Sequence, residues 1–254
     1  GLNPMVTEQS ATACSVTMGF KPIVYKDMGE RDGVRWMYLD GTPASCVKFA
    51  IDNVFAPSSK PDLVVSGINH GSNAGAAACY SGTLGAAMEA AINRIPAIGV
   101  SLDNLSPDAD FTVVRTFFPD IFRQLVSLGT ERYGVFYNVN FPDLPPSGVR
   151  GVRVAHQGIG HWVEEFDDWD PDFFPKHGID PAQYGIRSLE TAPERGERTF
   201  MMRGRFEDYD DNVPGADHRL LAEGYITITA HNAATTDFAE LERLRSLGMD
   251  KDWK

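Results

Sequence analysis

The chain has 254 residues, 43% of them hydrophobic, enough for one large domain with its own core. Aspartate and glutamate number 35 against 23 lysines and arginines, and the net charge of −12 repels nucleic-acid polymers and anionic membrane surfaces. The three cysteines, Cys14, Cys46 and Cys79, form no CxxC pair, and no run approaches about 18 apolar residues, so the expectation is a reduced, cytoplasmic protein without a membrane span or signal peptide.

In chain order, "GVRWMYLDG" alternates Val34, Trp36 and Tyr38 on one side and predicts a strand. "GTPASCVKFAIDNVF" predicts a helix with Thr42 as N-cap and Pro43 at the first helical position. "PDLVVSG" predicts a short apolar strand that ends in glycine, and "GTLGAAMEAAINR" a helix with Leu84, Ala87, Met88, Ala91 and Ile92 on one face. "IPAIGVSL" predicts a buried strand. "FTVVRTFFPDIFRQLVSLG" is mostly helical, with Pro119 as a kink or as the true first turn. "GVFYNVNFP" and "GVRVAHQG" predict two more strands. This alternation predicts an α/β fold, a mostly parallel sheet with helices on both faces.

From about residue 160 the chain becomes acidic, aromatic and rich in turns. "TFMMRGRFED" and "EGYITITAHN" predict strands flanking the acidic loop "YDDNVPGADHRLLA". The final helix carries Asp237 and Glu240 as a capping box before Leu241, Leu244 and Leu247.

Between the strand "PDLVV" and the helix "LGAAMEAAI" lies "SGINHGSNAGAAACYSGT", rich in glycine, small residues and amides. In a parallel sheet, ligands bind beyond the carboxyl ends of the strands. Free amides and the dipole at a helix N-terminus favour an anion there, and Ser81 and Thr83 offer hydroxyl donors. The spacing alone fits a phosphate site and equally a tight turn packing a helix onto a sheet. There is no Walker lysine, GxGxxG or GxSxG. Asp168, Asp170 and Asp172 alternate as in a calcium loop, but Phe173 and Ile179 stand where that loop needs glycine and glutamate, so a solvated acidic loop is expected. His156 and His161 lack HExxH spacing, and His70 reads as a surface residue beside Asn69.

"PDLVVSGINHGSN…YSGTLGAAMEA…IPAIGVSL", with "GTPASCVKFA", "NVNFPDLP", "GVRVAHQG" and "EGYITIT", resembles the SurE-type survival-protein phosphatases, in order from about residue 3 to residue 238. The resemblance implies a Rossmann-like α/β domain over 1–254, with 1–160 as core and 161–254 as a C-terminal β-hairpin and helix extension that forms a homodimer or homotetramer. It implies metal-dependent hydrolysis of nucleoside 5′- and 3′-monophosphates, with Mg²⁺ or Mn²⁺ as cofactor. It places Ser10 and Asn69 among the metal ligands, and Asn73, Ser81, Gly82 and Thr83 against the substrate phosphate.

The sequence also departs from the family's pattern. The family's opening strand ends in two adjacent aspartates, and nothing like that NDDG precedes Ser10. Ala11 replaces a glycine, and Ala76 and Ala77 replace two residues that are often acidic, which implies an altered substrate range. Ser10 and Asn69 supply only neutral oxygens, whereas hard cations take carboxylates too, so these 254 residues by themselves are expected to hold a divalent cation poorly. The alternative that follows is a non-catalytic phosphate- or nucleotide-binding regulatory protein.

Overall fold

Every residue of the strand Ala97–Leu102 is buried, and the fold is arranged around it. The computed structural model describes residues 5–6, 22–55, 59–129, 132–184, 186, 188–190, 195–210 and 213–252. A first sheet combines β1 (Met5–Val6), β2 (Tyr25–Arg31) and β3 (Val34–Leu39) in the order β1-β3-β2. In β3 the more deeply buried side chains are Met37 and Leu39, on the face opposite Trp36 and Tyr38. α1 (Pro43–Phe49) begins as expected, with the Thr42 hydroxyl accepting from the Ser45 amide at 3.2 Å, and continues into a π-helical turn, Ala50–Val54.

The main sheet takes β4 (Val64–His70), β5 (Ala97–Leu102), β6 (Val135–Phe141), β7 (Gly151–Ala155) and a late strand, Tyr225–Asn232. From β4 through β5 to β6 the pairing is parallel. The late strand then runs antiparallel to β6 and parallel to β7, which lies at the far edge. Two helices cover the two faces. α2 (Gly82–Ile92) lays Leu84, Ala87, Ala90 and Ala91 against Ala97 and Phe136. α3 (Thr112–Leu128) lays Val113, Val114, Ile121 and Leu125 against Ile98, Val100, Leu102, Val139 and Phe141. The period-2 alternation of β5 decides which residue meets which helix. Full burial of each large apolar side chain here stabilises the fold by about 1.5–3 kcal/mol. Gly99 keeps α2 close: a Cβ there would lie 2.5 Å from the Leu84 side chain.

Pro119 lies well inside α3, which starts at Thr112, so it does not mark a first turn. Apolar residues on both sides of the proline share one buried face, and that burial outweighs the roughly 3 kcal/mol an interior proline costs.

Beyond β7 the chain forms a two-stranded arm. β8 (His161–Val163) pairs with a strand Arg205–Glu207, and β9 (Phe166–Asp168) with a strand Phe200–Met202, both antiparallel. These partner strands are β10 (Phe200–Met202) and β11 (Arg205–Glu207), and α4 (Phe173–His177) lies in the chain between β9 and β10. Lys176 pairs with Asp170 at 3.5 Å and Asp172 at 3.8 Å, which makes "DDWDPDFF" a solvated, ion-paired segment as expected. α5 (Asp217–Ala222) then leads into β12 (Tyr225–Asn232). The sequence assigns β12 to the extension. The fold instead seats it between β6 and β7, with Ile226 and Thr227 fully buried. Of the elements after residue 160, the β8–β11 arm lies outside the main sheet, and α6 (Phe238–Ser246) follows β12, its Asp237 cap accepting from the Ala239 and Glu240 amides. Among the described residues, no helix is long and apolar enough to cross a membrane.

Candidate active site

Toward the carboxyl end of the main sheet, the face covered by α2 turns from apolar to polar. Along β6, Phe136 is followed on the same side by Asn138 and Asn140, and along β5, Gly99 is followed by Ser101. All three polar side chains are fully buried. They receive the loop that leaves β4. The Asn73 amide donates to Asn140 Oδ1 at 2.7 Å, and Asn73 Nδ2 donates to Ser101 Oγ at 2.7 Å. Asn138 Nδ2 donates to the Asn73 carbonyl at 2.9 Å, and Asn140 Nδ2 to Asn138 Oδ1 at 2.9 Å. A buried polar network is stable only when its members are paired, and here each amide holds the next.

His231 closes the network from β12. Its Nε2 lies 3.4 Å from Asn138 Nδ2. Burial lowers the His231 pKa below its ordinary value, against a smaller opposing pull from Asp217.

β4 delivers Asn69 to the edge of this polar floor. The strand reaches three residues beyond Gly67, where the sequence predicts its end, and its ladder with β5 is irregular between Ser66 and Asn69. Asn69 Nδ2 donates to the His70 carbonyl at 3.1 Å and to the Gly71 carbonyl at 2.8 Å. Its Oδ1 is therefore oriented, and it accepts from Thr83 Oγ1 at 3.2 Å. The exposed His70 ring donates from Nδ1 to the Ser106 carbonyl at 2.8 Å, in keeping with a surface residue.

The loop closes through a 3-10 turn, Gly75–Tyr80, onto the N-terminus of α2. Ser81 is the N-cap: its Oγ accepts from the Leu84 amide at 3.1 Å, which leaves its O–H free to donate. The amides of Gly82 and Thr83 lie in the first turn, where a helix offers unpaired donors and a positive dipole end. Of the residues singled out in the sequence, Asn69, Ser81, Gly82 and Thr83 thus meet at the end of β4 and the start of α2. Asn73, like Ser81, Gly82 and Thr83, is buried, with one amide hydrogen committed to Ser101. Ser10 lies outside the described residues.

Asn69 fits the donor chemistry of a hard cation with one oriented, neutral oxygen; such cations take six or more oxygens, carboxylates among them. Among the described residues one group of three acidic or histidine ligand atoms lies within 4.8 Å: Asp208, Asp210 and His218. Asn69 is not part of it. Asp208 Oδ2 accepts from Arg219 Nε at 2.5 Å, and that guanidinium holds the Asp208 carboxyl well below the usual carboxylate range. Asp210 Oδ2 accepts from the Ile159 and Gly160 amides at 2.7 and 3.2 Å.

Sequence reasoning missed Ser101, Asn138, Asn140 and Asp217. Asn138 and Asn140 had a signal, amides spaced by two in "NVN" on a strand otherwise apolar, while Ser101 had none beyond its place near the end of β5. Asp217 sat in an acidic stretch with nothing local to distinguish it.

Comparison with known proteins gives a consistent result. Residues 4–164 match the family model described as Survival protein SurE. The chain is 36% identical over 214 residues to the 5′-nucleotidase SurE of Cytophaga hutchinsonii, covering 84% of this chain and 71% of that protein. It is 38% identical over 188 residues to the 5′-nucleotidase SurE of Christiangramia forsetii, covering 74% of this chain and 62% of that one. The protein of the same name from Syntrophobacter fumaroxidans is 35% identical over 238 residues, 94% of this chain and 84% of that one. The crystal structure of the SurE protein from Aquifex aeolicus superposes with a TM-score of 0.70 at 23% identity, over 96% of this chain and 87% of that one, a likeness of fold.

Proposed function

The chain belongs to the SurE survival-protein family, and from that premise we propose that it hydrolyses phosphate monoesters, nucleoside 5′-monophosphates above all. The observation that carries the reading is the joining of Asn69 to Thr83 across the mouth of α2, beside the Ser81 hydroxyl and the first-turn amides. These donors suit the non-bridging oxygens of a phosphate, whose charge the helix end favours. Asn73 supports the loop and offers its second amide hydrogen.

Asn69 and Ser10 are proposed ligands of a divalent cation, Mg²⁺ or Mn²⁺, which when bound supplies an activated water at neutral pH and polarises the phosphate. The chain's own residues bind and orient the ester. The Ser81 hydroxyl and the Gly82 and Thr83 amides hold the phosphoryl oxygens, while the Thr83 hydroxyl donates to Asn69, which, fixed by two carbonyls, sets the position of the cation relative to them. With Mg²⁺ or Mn²⁺ raised high enough to offset its neutral ligands, the protein should release inorganic phosphate from nucleoside 5′-monophosphates and lose that activity in excess chelator. Tight phosphate binding with no turnover at any metal concentration would favour the regulatory alternative.

The chain is further proposed to act as a homodimer or homotetramer joined through the β8–β11 arm. Phe166 and Met202 are directly opposed across that arm, and both are largely exposed; apolar pairs of this kind are usually covered by a partner. Replacing both with glutamate should lower the mass measured by light scattering. A wild-type protein with the mass of one chain would exclude the assembly.

A further inference from the structure

We propose that Asp217 is a positioning residue for the phosphate loop: it grips the Gly75 and Gly158 amides, so that the turn between Asn73 and Ser81 keeps its binding shape. The inference rests on the proposed reading of that loop as the phosphate site.

Asp217 is fully buried at the start of α5. Its Oδ1 accepts from three backbone amides, those of Gly75, Gly158 and His218, each at 2.9 Å. A buried backbone amide left without an acceptor is costly, so three amide bonds converging on one oxygen hold their segments together. One atom therefore ties together three segments far apart in sequence. Gly75 opens the 3-10 turn, two residues after Asn73 and six before Ser81. Gly158 belongs to the segment between β7 and β8. The Asp217 amide itself donates to the His156 carbonyl at 3.0 Å, so the grip on that segment is double.

A second set of contacts tightens the same junction. The Ala76 amide donates to the Gly160 carbonyl at 2.9 Å. Asp210 holds the Ile159 and Gly160 amides from the other side. There is no slack for a side chain: a Cβ on Gly75 would lie 2.5 Å from the Gly160 carbonyl oxygen, and one on Gly158 2.3 Å from His218 Nδ1. Removing the Asp217 carboxylate would leave two loop amides buried without acceptors. The 3-10 turn could then satisfy Gly75 only by moving, and Asn73 and Ser81 would move with it. A loss of about an ångström in such placement is felt directly in binding.

Two variants on α5 separate positioning from mere stability. Leu221→Ala removes a buried apolar side chain that makes none of these hydrogen bonds. At a temperature where circular dichroism shows all proteins folded, Asp217→Ala should raise the KM for a nucleoside monophosphate and the inhibition constant of inorganic phosphate at least tenfold together, with kcat changed less than threefold. Asp217→Asn keeps an acceptor oxygen of the same shape and should recover most of that shift. Leu221→Ala should leave both constants at wild-type values. Hydrogen exchange reads the grip without turnover: protection over Gly75–Tyr80 should fall at least tenfold in Asp217→Ala and not in Leu221→Ala. Equal shifts in the two variants, or lost protection with unchanged KM and phosphate inhibition, overturn the inference. A wild-type protein that neither hydrolyses nucleotides nor is bound by phosphate overturns the reading of the loop, and this inference with it, even where the exchange result confirms the grip.

Discussion

Asn69→Ala should lower kcat/KM for nucleoside monophosphates about a hundredfold at fixed, subsaturating Mn²⁺, equivalent to about 2.7 kcal/mol of transition-state stabilisation. Three contacts make this side chain a fixed point. Its Nδ2 bridges the His70 and Gly71 carbonyls, and its Oδ1 meets the Thr83 hydroxyl. An amide held at both ends presents its oxygen in one direction, which is what a ligand to a cation beside a phosphate requires. Truncation removes that oxygen and also releases the Thr83 hydroxyl, which loosens the first turn of α2 whose amides are the proposed phosphate donors. The loss should therefore have two parts. The Mn²⁺ concentration for half-activation should rise at least tenfold, and added Mn²⁺ should restore part of the rate. The remainder, from the unanchored Thr83, should persist at saturating metal. Activity lost with the half-activating Mn²⁺ concentration unchanged would remove Asn69 from the metal site.

Local chemistry explains what the sequence discloses of this site. The strand β4, the helix α2 and the loop between them are each written in adjacent residues: an apolar run, a Ser cap, an alanine-rich helical stripe. β5 is legible as a continuous apolar run because both of its faces are covered. Non-local contacts explain what stays hidden. Asp217 acts on Gly75 across 142 positions, and no pattern near either residue announces the bond. β12 alternates as an ordinary strand, and its seat between β6 and β7 depends on pairing with strands far away in the sequence, which nothing near it announces. Pro119 shows the same limit from the other side. Of its two local readings, a kink or a first turn, the first turn is overridden by a buried face that runs through it. The amides of β6 lie between these cases: their spacing was visible, but only the arrival of the Asn73 loop gives them a purpose.

Gly67→Ala should destabilise the protein by about 3 kcal/mol, from a backbone conformation that costs roughly 1–3 kcal/mol for a residue with a side chain and overpacking that costs roughly 1–3 kcal/mol. Gly67 sits at φ +125°, and a Cβ there would lie 2.3 Å from the Val100 carbonyl oxygen and 3.2 Å from the Asn69 amide nitrogen. The carbonyl cannot retreat. Val100 is nearly fully buried in β5, which is paired with β4 on one side and β6 on the other, and α2 and α3 press on its two faces. The displaced chain must therefore be β4, and the residue two positions on is Asn69. Thermal unfolding should shift down by about 6–12 °C, taking roughly 2–4 °C per kcal/mol for a chain of this size. Because Asn69 moves, kcat/KM should fall at least tenfold even at a temperature where the variant is folded. Gly178→Ala is the matched comparison. Its φ is +65° and nothing lies within 4 Å of the added carbon, so it carries the backbone penalty alone, about 1–2 kcal/mol. It should leave activity unchanged. A Gly67→Ala protein that melts within 2 °C of wild type and turns over normally would show that β4 does not need glycine to deliver Asn69, and the link drawn here between the irregular ladder and the site would be wrong.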